Sequence, residues 1–186
     1  MSFRFEPLQI PDIVLIRPTR HGDERGFFQE SYRASAFAEA GLHATFVQDN
    51  WARSARGVLR GLHYQLPPAA QGKVVGVVRG RIFDVAVDLR VGAPTFGRWL
   101  GHLLDADAGA GEMLWIPPGF AHGYVVLSDE ADVLYKVTAE YVPALDRGIR
   151  WDDPAIGIIW PVERPTISAK DLAQPALADA ENPFRA

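Results

Sequence analysis

Two histidines stand in glycine-framed stretches of the chain. In GVLRGLHYQLPPAAQGK, Gly57 to Lys73, His63 follows the first glycine by six positions and Gln65 comes two later. In GEMLWIPPGFAH, Gly111 and Glu112 are followed by Pro117, Gly119 and His122. A neutral imidazole does two kinds of work: it gives a lone pair to zinc or iron, or it takes a proton near neutral pH. A zinc or iron site ordinarily needs at least three protein donors, and glutamine is a poor one. The chain has no cysteine, which removes thiolate ligands, cysteine nucleophiles and disulfides from consideration.

Positioning such groups falls to strands. Short apolar runs rich in β-branched and aromatic residues recur between Gly, Pro and Asp clusters, among them IVLI, TFVQDNW, KVVGVVRGRIFDVAVDL, FGRWLGHLL, MLWI, GYVVL and DVLYKV. Many strands at short spacing predict an antiparallel sandwich or barrel. KVVGVV and RIFDVAVDL, joined by Arg79 and Gly80, read as a tight hairpin in which glycine supplies positive φ. In the second strand Phe83, Val85, Val87 and Leu89 share one face, and Ile82, Asp84, Ala86 and Asp88 share the other. The acid-bearing face is expected to look into a cavity or towards solvent. Helix is scarce: RASAFAEAG closes at Gly41, and SAKDLAQPALADA offers Ser168 as a cap with Asp171 three residues later.

The 186 residues, 48 % apolar and 23 % charged, suit one domain. We expect an N-terminal arm over about residues 1–45, a barrel over about 46–160 and a C-terminal segment over about 161–186. The net charge of −4 and the scattered basic residues argue against a nucleic-acid groove. With no basic leader and no apolar run of membrane length, the expectation is a cytoplasmic protein without membrane or nucleic-acid partners.

GEMLWIPPGFAH resembles the second motif of the cupin superfamily, and the stretch around His63 falls where the first cupin motif belongs. The resemblance implies an all-β, cupin-type jelly-roll barrel (a double-stranded β-helix) with short helices. In metal-binding cupins the first motif supplies two histidines on alternate strand positions, followed by a Glu. Here the second histidine is Gln65, and Ala69 and Ala70 stand about where the Glu would be. His63 and His122 are left, and a metal would need an unmatched carboxylate such as Asp84; no metal is expected.

GDERGFFQE, FVQDN, VLRGLHYQ, QGKVVGVVRG, FDVAVDLR, APTFG, LWIPPGFAHGY, LYKVTAEYVP, WDDPAIGIIWP and SAKD follow one another from residue 22 to residue 171. In that order they closely resemble the dTDP-4-dehydrorhamnose 3,5-epimerases, homodimeric cupins of L-rhamnose biosynthesis. The resemblance implies inversion of C3 and C5 of dTDP-4-dehydro-6-deoxy-D-glucose through a C4 enolate, without a cofactor. Both carbons flank the C4 ketone, so their protons become acidic enough for a protein base once the enolate is stabilised.

By the same resemblance His63 is the general base, Asp171 the carboxylate that pairs with it, and Tyr135 the general acid on the opposite ring face. Lys73 lies near the C4 oxygen. Arg60, Gln48, Asn50 and His122 match sugar and phosphate contacts, and Tyr141 matches a ring that stacks near the thymine. Arg25, Phe28 and Glu30 match a segment that reaches the partner subunit's site, while Asp146 and Lys170 align near further contacts. Each has a plainer reading: a structural strand histidine, a helix-capping acid, a core tyrosine, a surface lysine. Trp51 and the LPPAA insert after Gln65 lie beside matched positions without being motif residues. Three alternatives stay open at this point. One is a C3-only or C5-only epimerase of a related dTDP-4-keto-deoxysugar. Another is a metal-dependent cupin, which Gln65 argues against. The third is a binding module without turnover, hard to reconcile with His63, Tyr135, Asp171 and Lys73 together.

Overall fold

The computed structural model describes residues 2–108 and 111–186. In chain order the elements are β1 (Phe3–Pro7), β2 (Val14–Pro18), β3 (Arg20–Asp23), β4 (Gly26–Gln29), α1 (Ala34–Glu39), β5 (Gln48–Ala55), β6 (Val58–Gln65) and β7 (Lys73–Arg79). They continue with β8 (Arg81–Asp88), β9 (Trp99–Asp105), β10 (Met113–Ile116), β11 (Phe120–Val126), β12 (Glu130–Val137), β13 (Asp146–Gly148), β14 (Thr166–Ile167) and α2 (Ala169–Leu172). One sheet has the order β1-β2-β10-β7-β12-β5, and the other β13-β6-β11-β8-β9 with β14 beside β6. Apart from the step from β8 to β9, consecutive strands from β5 to β13 alternate between the two sheets. This is the expected all-β jelly roll.

That alternation overturns one local expectation. KVVGVV and RIFDVAVDL do not form a hairpin: β7 pairs with β10 and β12, and β8 pairs with β9 and β11. Arg79 and Gly80 instead turn a corner between the sheets. Gly80 has φ 75°, and a Cβ there would lie 2.1 Å from the Glu130 carbonyl oxygen, so the close approach requires glycine. The same two-residue link serves a hairpin or a corner, and burial on both faces of each strand decides between them. Val75 and Val77 of β7 face Ile82 and Ala86 of β8 in the core between the sheets. Val74 packs outside with Met113 and Trp115, while Val85 and Val87 pack on the opposite outer face under Ile149 and Ile156. Both strands therefore sit inside their own sheets, and the acid-bearing face of β8 looks inward, with Asp84 and Asp88 fully buried.

The covering layers follow from the same apolar faces. The six-residue helix α1 is too short to persist alone. Phe37, 1 % exposed, anchors it through edge-on contacts with Phe3, Phe5, Tyr32 and Phe46, and burying that ring contributes about 2–3 kcal/mol. Within the span expected as an N-terminal arm, β2 joins β10 and extends the first sheet. β3 and β4 form a separate ribbon whose Phe27 and Phe28 are 62 % and 70 % exposed. At the other end Trp160, Leu177 and Phe184 cover the outer face of the second sheet. Among the described residues, no helix is long and apolar enough to cross a membrane.

Candidate active site

His63 lies on β6 opposite His122 on β11. On its other flank β6 is joined by β14 at Val58 and Leu59 and by β13 from His63 to Gln65. α2, which follows β14, comes against β6 in the interval between those pairings. Ser168 caps α2, its Oγ accepting from the Asp171 N–H at 3.1 Å, which fixes Asp171 in the first turn. The Asp171 carboxylate then meets His63 Nε2 at 2.7 Å and accepts from the Gly61 N–H at 3.4 Å. Gly61 has φ 134°, and a Cβ there would stand 2.5 Å from the Gly123 Cα, so only glycine lets β6 pass β11 this closely.

Burial pushes the Asp171 carboxyl up, but the hydrogen bonds of His63, Gly61 and Ser168 outweigh it and hold the group below its ordinary range. A carboxylate only accepts, so His63 carries its hydrogen on Nε2 and its lone pair on Nδ1. The capping-acid reading of Asp171 does not hold: Ser168 is the cap and receives the Asp171 N–H, while the Asp171 carboxylate pairs with His63.

Lys73 opens β7 and is 7 % exposed, with Nζ 3.4 Å from the His63 carbonyl oxygen. Burial lowers its pKa to about 8, against the pull of Asp146 and Asp84. The ammonium is thus poorly solvated and free to answer a developing negative charge. Tyr135 of β12 is half-buried; burial raises its pKa, with the Arg60 charge acting the other way, so the phenol stays protonated at neutral pH. His63, Lys73, Tyr135, Arg60, His122, Tyr124 and Ala52, from strands of both sheets, line one cavity.

His122 Nε2 hydrogen-bonds Asp84 at 2.8 Å, and both are buried. Sequence reasoning treated Asp84 as a possible metal ligand, whereas its carboxylate orients the second imidazole. Tyr124, two positions beyond His122 and sharing its face, was missed; burial pushes its hydroxyl up to about 12. Arg60 is fixed by Ser54, with Nε 2.9 Å from Oγ.

A second, wider cavity shares His63, Lys73 and Tyr135 and adds Gln48, Asn50, Tyr64, Gln65, Gln71, Tyr141, Asp146 and Lys170. Gln48 Nε2 donates to Asn50 Oδ1 at 2.8 Å, as their shared strand face requires. Tyr141 donates from its hydroxyl to Asp146 at 3.1 Å, and Lys170 pairs with the same carboxylate. Gln65, 3 % exposed, spends its amide on the Ala69 and Glu140 carbonyls and the Val142 N–H. Among the described residues, no group of three or more His, Asp and Glu side chains gathers as a metal site.

Three expected residues lie apart from these cavities. Arg25 and Phe28 sit on the exposed β3–β4 ribbon, where Arg25 pairs with Asp23. Glu30 follows the ribbon, 3.6 Å from Arg33. Trp51 is 66 % exposed on the outward face of β5 and lines neither cavity.

A base held by a carboxylate, a neutral phenol and a desolvated ammonium around one cavity can remove a proton beside a carbonyl and return one elsewhere. Residues 7–179 match the family model described as dTDP-4-dehydrorhamnose 3,5-epimerase. The chain is 54 % identical over 176 residues to the enzyme of that name from Pseudomonas aeruginosa, covering 94 % of this chain and 96 % of that one. It is 52 % identical over 174 residues to the Shigella flexneri enzyme, covering 93 % and 95 %. The crystal structure of dTDP-6-deoxy-D-glucose-3,5-epimerase from Legionella pneumophila, in complex with dTDP-4-keto-L-rhamnose, superposes with a TM-score of 0.94. It is 44 % identical, with 99 % of each chain covered. The chain belongs to the dTDP-4-dehydrorhamnose 3,5-epimerase family.

Proposed function

We infer that this protein inverts C3 and C5 of dTDP-4-dehydro-6-deoxy-D-glucose, giving dTDP-4-dehydro-L-rhamnose. The observation that carries the reading is the His63–Asp171 pair, 2.7 Å apart, in a cavity shared with Lys73 and Tyr135. His63 takes the proton from C3 or C5, and Asp171 stabilises the imidazolium that forms. Lys73 faces the C4 oxygen as the enolate develops. Tyr135 returns a proton to the opposite face, which inverts the centre, and bulk water restores the phenol and the base. Each step moves a proton and changes no oxidation state, so the chemistry asks for no redox cofactor.

Arg60 and His122, which line the cavity with His63, serve the sugar and diphosphate. Gln48, Asn50, Asp146 and Lys170 line its wider part, and Tyr141 stacks on the thymine. The protein works as a homodimer in which the β3–β4 ribbon carries Arg25, Phe28 and Glu30 into the partner's site. Two exposed phenylalanines on an otherwise detached ribbon favour this, because such apolar surface is normally covered. A cysteine-free chain suits the cytoplasm, where we place it.

Incubation with substrate in D2O tests the activity: deuterium enters at both C3 and C5, and His63→Ala abolishes both exchanges. Exchange at one carbon alone would select a mono-epimerase. The ribbon is tested by mixing Arg25→Ala and His63→Ala protomers. In a mixed dimer one site then carries both lesions and the other neither, so about one quarter of wild-type activity returns. No recovery would place Arg25 in its own protomer's site.

A further inference from the structure

Tyr141 lies between β12 and the 3-10 turn Pro143–Leu145, in a stretch without regular structure. The ring is 50 % exposed, so core packing does not hold it. Its hydroxyl donates to Asp146 at 3.1 Å, and its backbone is held by three glutamines. Gln71 Nε2 donates to the Ala139 carbonyl at 2.8 Å, and Gln65 Nε2 donates to the Glu140 carbonyl at 3.1 Å. The Tyr141 N–H donates to Gln48 Oε1 at 2.8 Å, and the Val142 N–H to Gln65 Oε1 at 2.7 Å. Residues 139 to 142 thus each give one main-chain group to a glutamine rooted on or beside β5, β6 or β7. Gln65 is central: it is buried, grips the segment on both sides of Tyr141, and ties it to the Ala69 carbonyl at 2.9 Å. A primary amide is suited to this because one end donates twice while the other accepts.

We propose that Gln65, flanked by Gln48 and Gln71, is a positioning residue that holds Tyr141 as a preformed wall for the nucleobase of a nucleoside-diphosphate sugar. The proposal rests on the epimerase reading above. A half-exposed ring on an unclamped loop would have to be ordered by each incoming nucleotide, and that ordering would weaken binding. The position where metal cupins carry a second histidine here does work on the nucleotide side of the cavity. Proton transfer at His63 does not pass through Gln65, so its effect falls on nucleotide affinity.

The test measures dTDP binding by calorimetry, and KM and kcat by C3 and C5 exchange. Gln65→Met keeps the volume and loses the amide, and it weakens dTDP binding and raises KM by about tenfold with a smaller change in kcat. Gln65→Glu keeps the acceptor for Val142 but loses both donors, and it shifts the same two quantities. In a Tyr141→Ala background Gln65→Met adds no further loss, because its effect runs through the ring. A folded Gln65→Met with wild-type dTDP affinity, a fall in kcat at constant KM, or full additivity with Tyr141→Ala would each overturn the proposal. Should Gln65→Met fail to fold, Gln71→Met removes only the Ala139 contact; it weakens dTDP about threefold, and no loss there overturns the proposal as well. A wild-type protein that neither binds dTDP nor exchanges would retire the epimerase reading itself. One that does both, with unaltered variants, retires only the role of Gln65.

Discussion

Asp171 and His63, 108 positions apart in the chain, meet at 2.7 Å, and the same carboxylate is tied to the backbone of the strand that carries the histidine. The imidazole and the carboxylate are therefore held together directly and through the backbone of β6.

Asp171→Asn keeps the shape and removes the charge. We expect exchange at both carbons to fall about 10²–10⁴-fold, as for a general base deprived of its orienting carboxylate, with dTDP affinity little changed in calorimetry. Stability carries a second signature. The folded Asp171 carboxyl titrates below its ordinary value of 3.8, so its contribution is complete above that value and is lost as pH falls through the lower folded one. The stability gap between wild type and Asp171→Asn, followed by urea titration, narrows on acidification through that window.

Tyr135→Phe separates removal of the proton from its return. His63 still exchanges the substrate proton with solvent on its own face, so deuterium enters with retention while inverted product falls by about 10²-fold or more. NMR of the recovered sugar reads both quantities at once. Loss of all exchange would make Tyr135 part of the proton-removal step.

Lys73 sets activity and stability against each other. Its buried amine titrates near about 8, where an unfolded lysine titrates at 10.5. Enolate stabilisation needs the ammonium, so kcat/KM falls as pH rises through about 8. Stability moves oppositely: between those two values the unfolded chain binds the proton that the folded one has released, so stability rises with pH across the window. Lys73→Met should raise unfolding free energy at pH 7 by about 1–3 kcal/mol and cut exchange by about 10²-fold or more. A destabilised Lys73→Met would mean the folded protein solvates the ammonium well.

Gly61→Ala should be costly and Gly41→Ala mild. At Gly61 a Cβ meets the Gly123 Cα at 2.5 Å with φ at 134°, whereas at Gly41 φ is 84° and nothing lies within 4 Å. Chemical denaturation should show a loss of about 2–4 kcal/mol for the first and about 1–2 kcal/mol for the second. Exchange should fall only for Gly61→Ala, because its N–H anchors Asp171.

Much of the architecture was legible because strand alternation is local. Gln48 and Asn50, two apart, do share a face and a hydrogen bond, and the inward set of β8 is the one that carries Asp84. The corner at Arg79 and Gly80 was not legible, since a glycine link looks the same whichever sheet follows it. Nor could spacing show that Asp171 reaches His63, a contact made by β14 docking beside β6. Gln65 was read as a missing ligand because a side chain that serves distant main-chain groups leaves no mark near its own position. Arg25, Phe28 and Glu30 carry motif matches, but a single protomer brings them to no cavity with His63.

The position of α2 after every barrel strand has a consequence for synthesis. A growing chain can pair β5 through β13 before Asp171 reaches them, leaving His63 as a lone imidazole in a cavity still short of Lys170. Chemistry at the ketosugar then waits for α2 to arrive, so catalytic competence in this enzyme reports that β14 and α2 have docked beside β6.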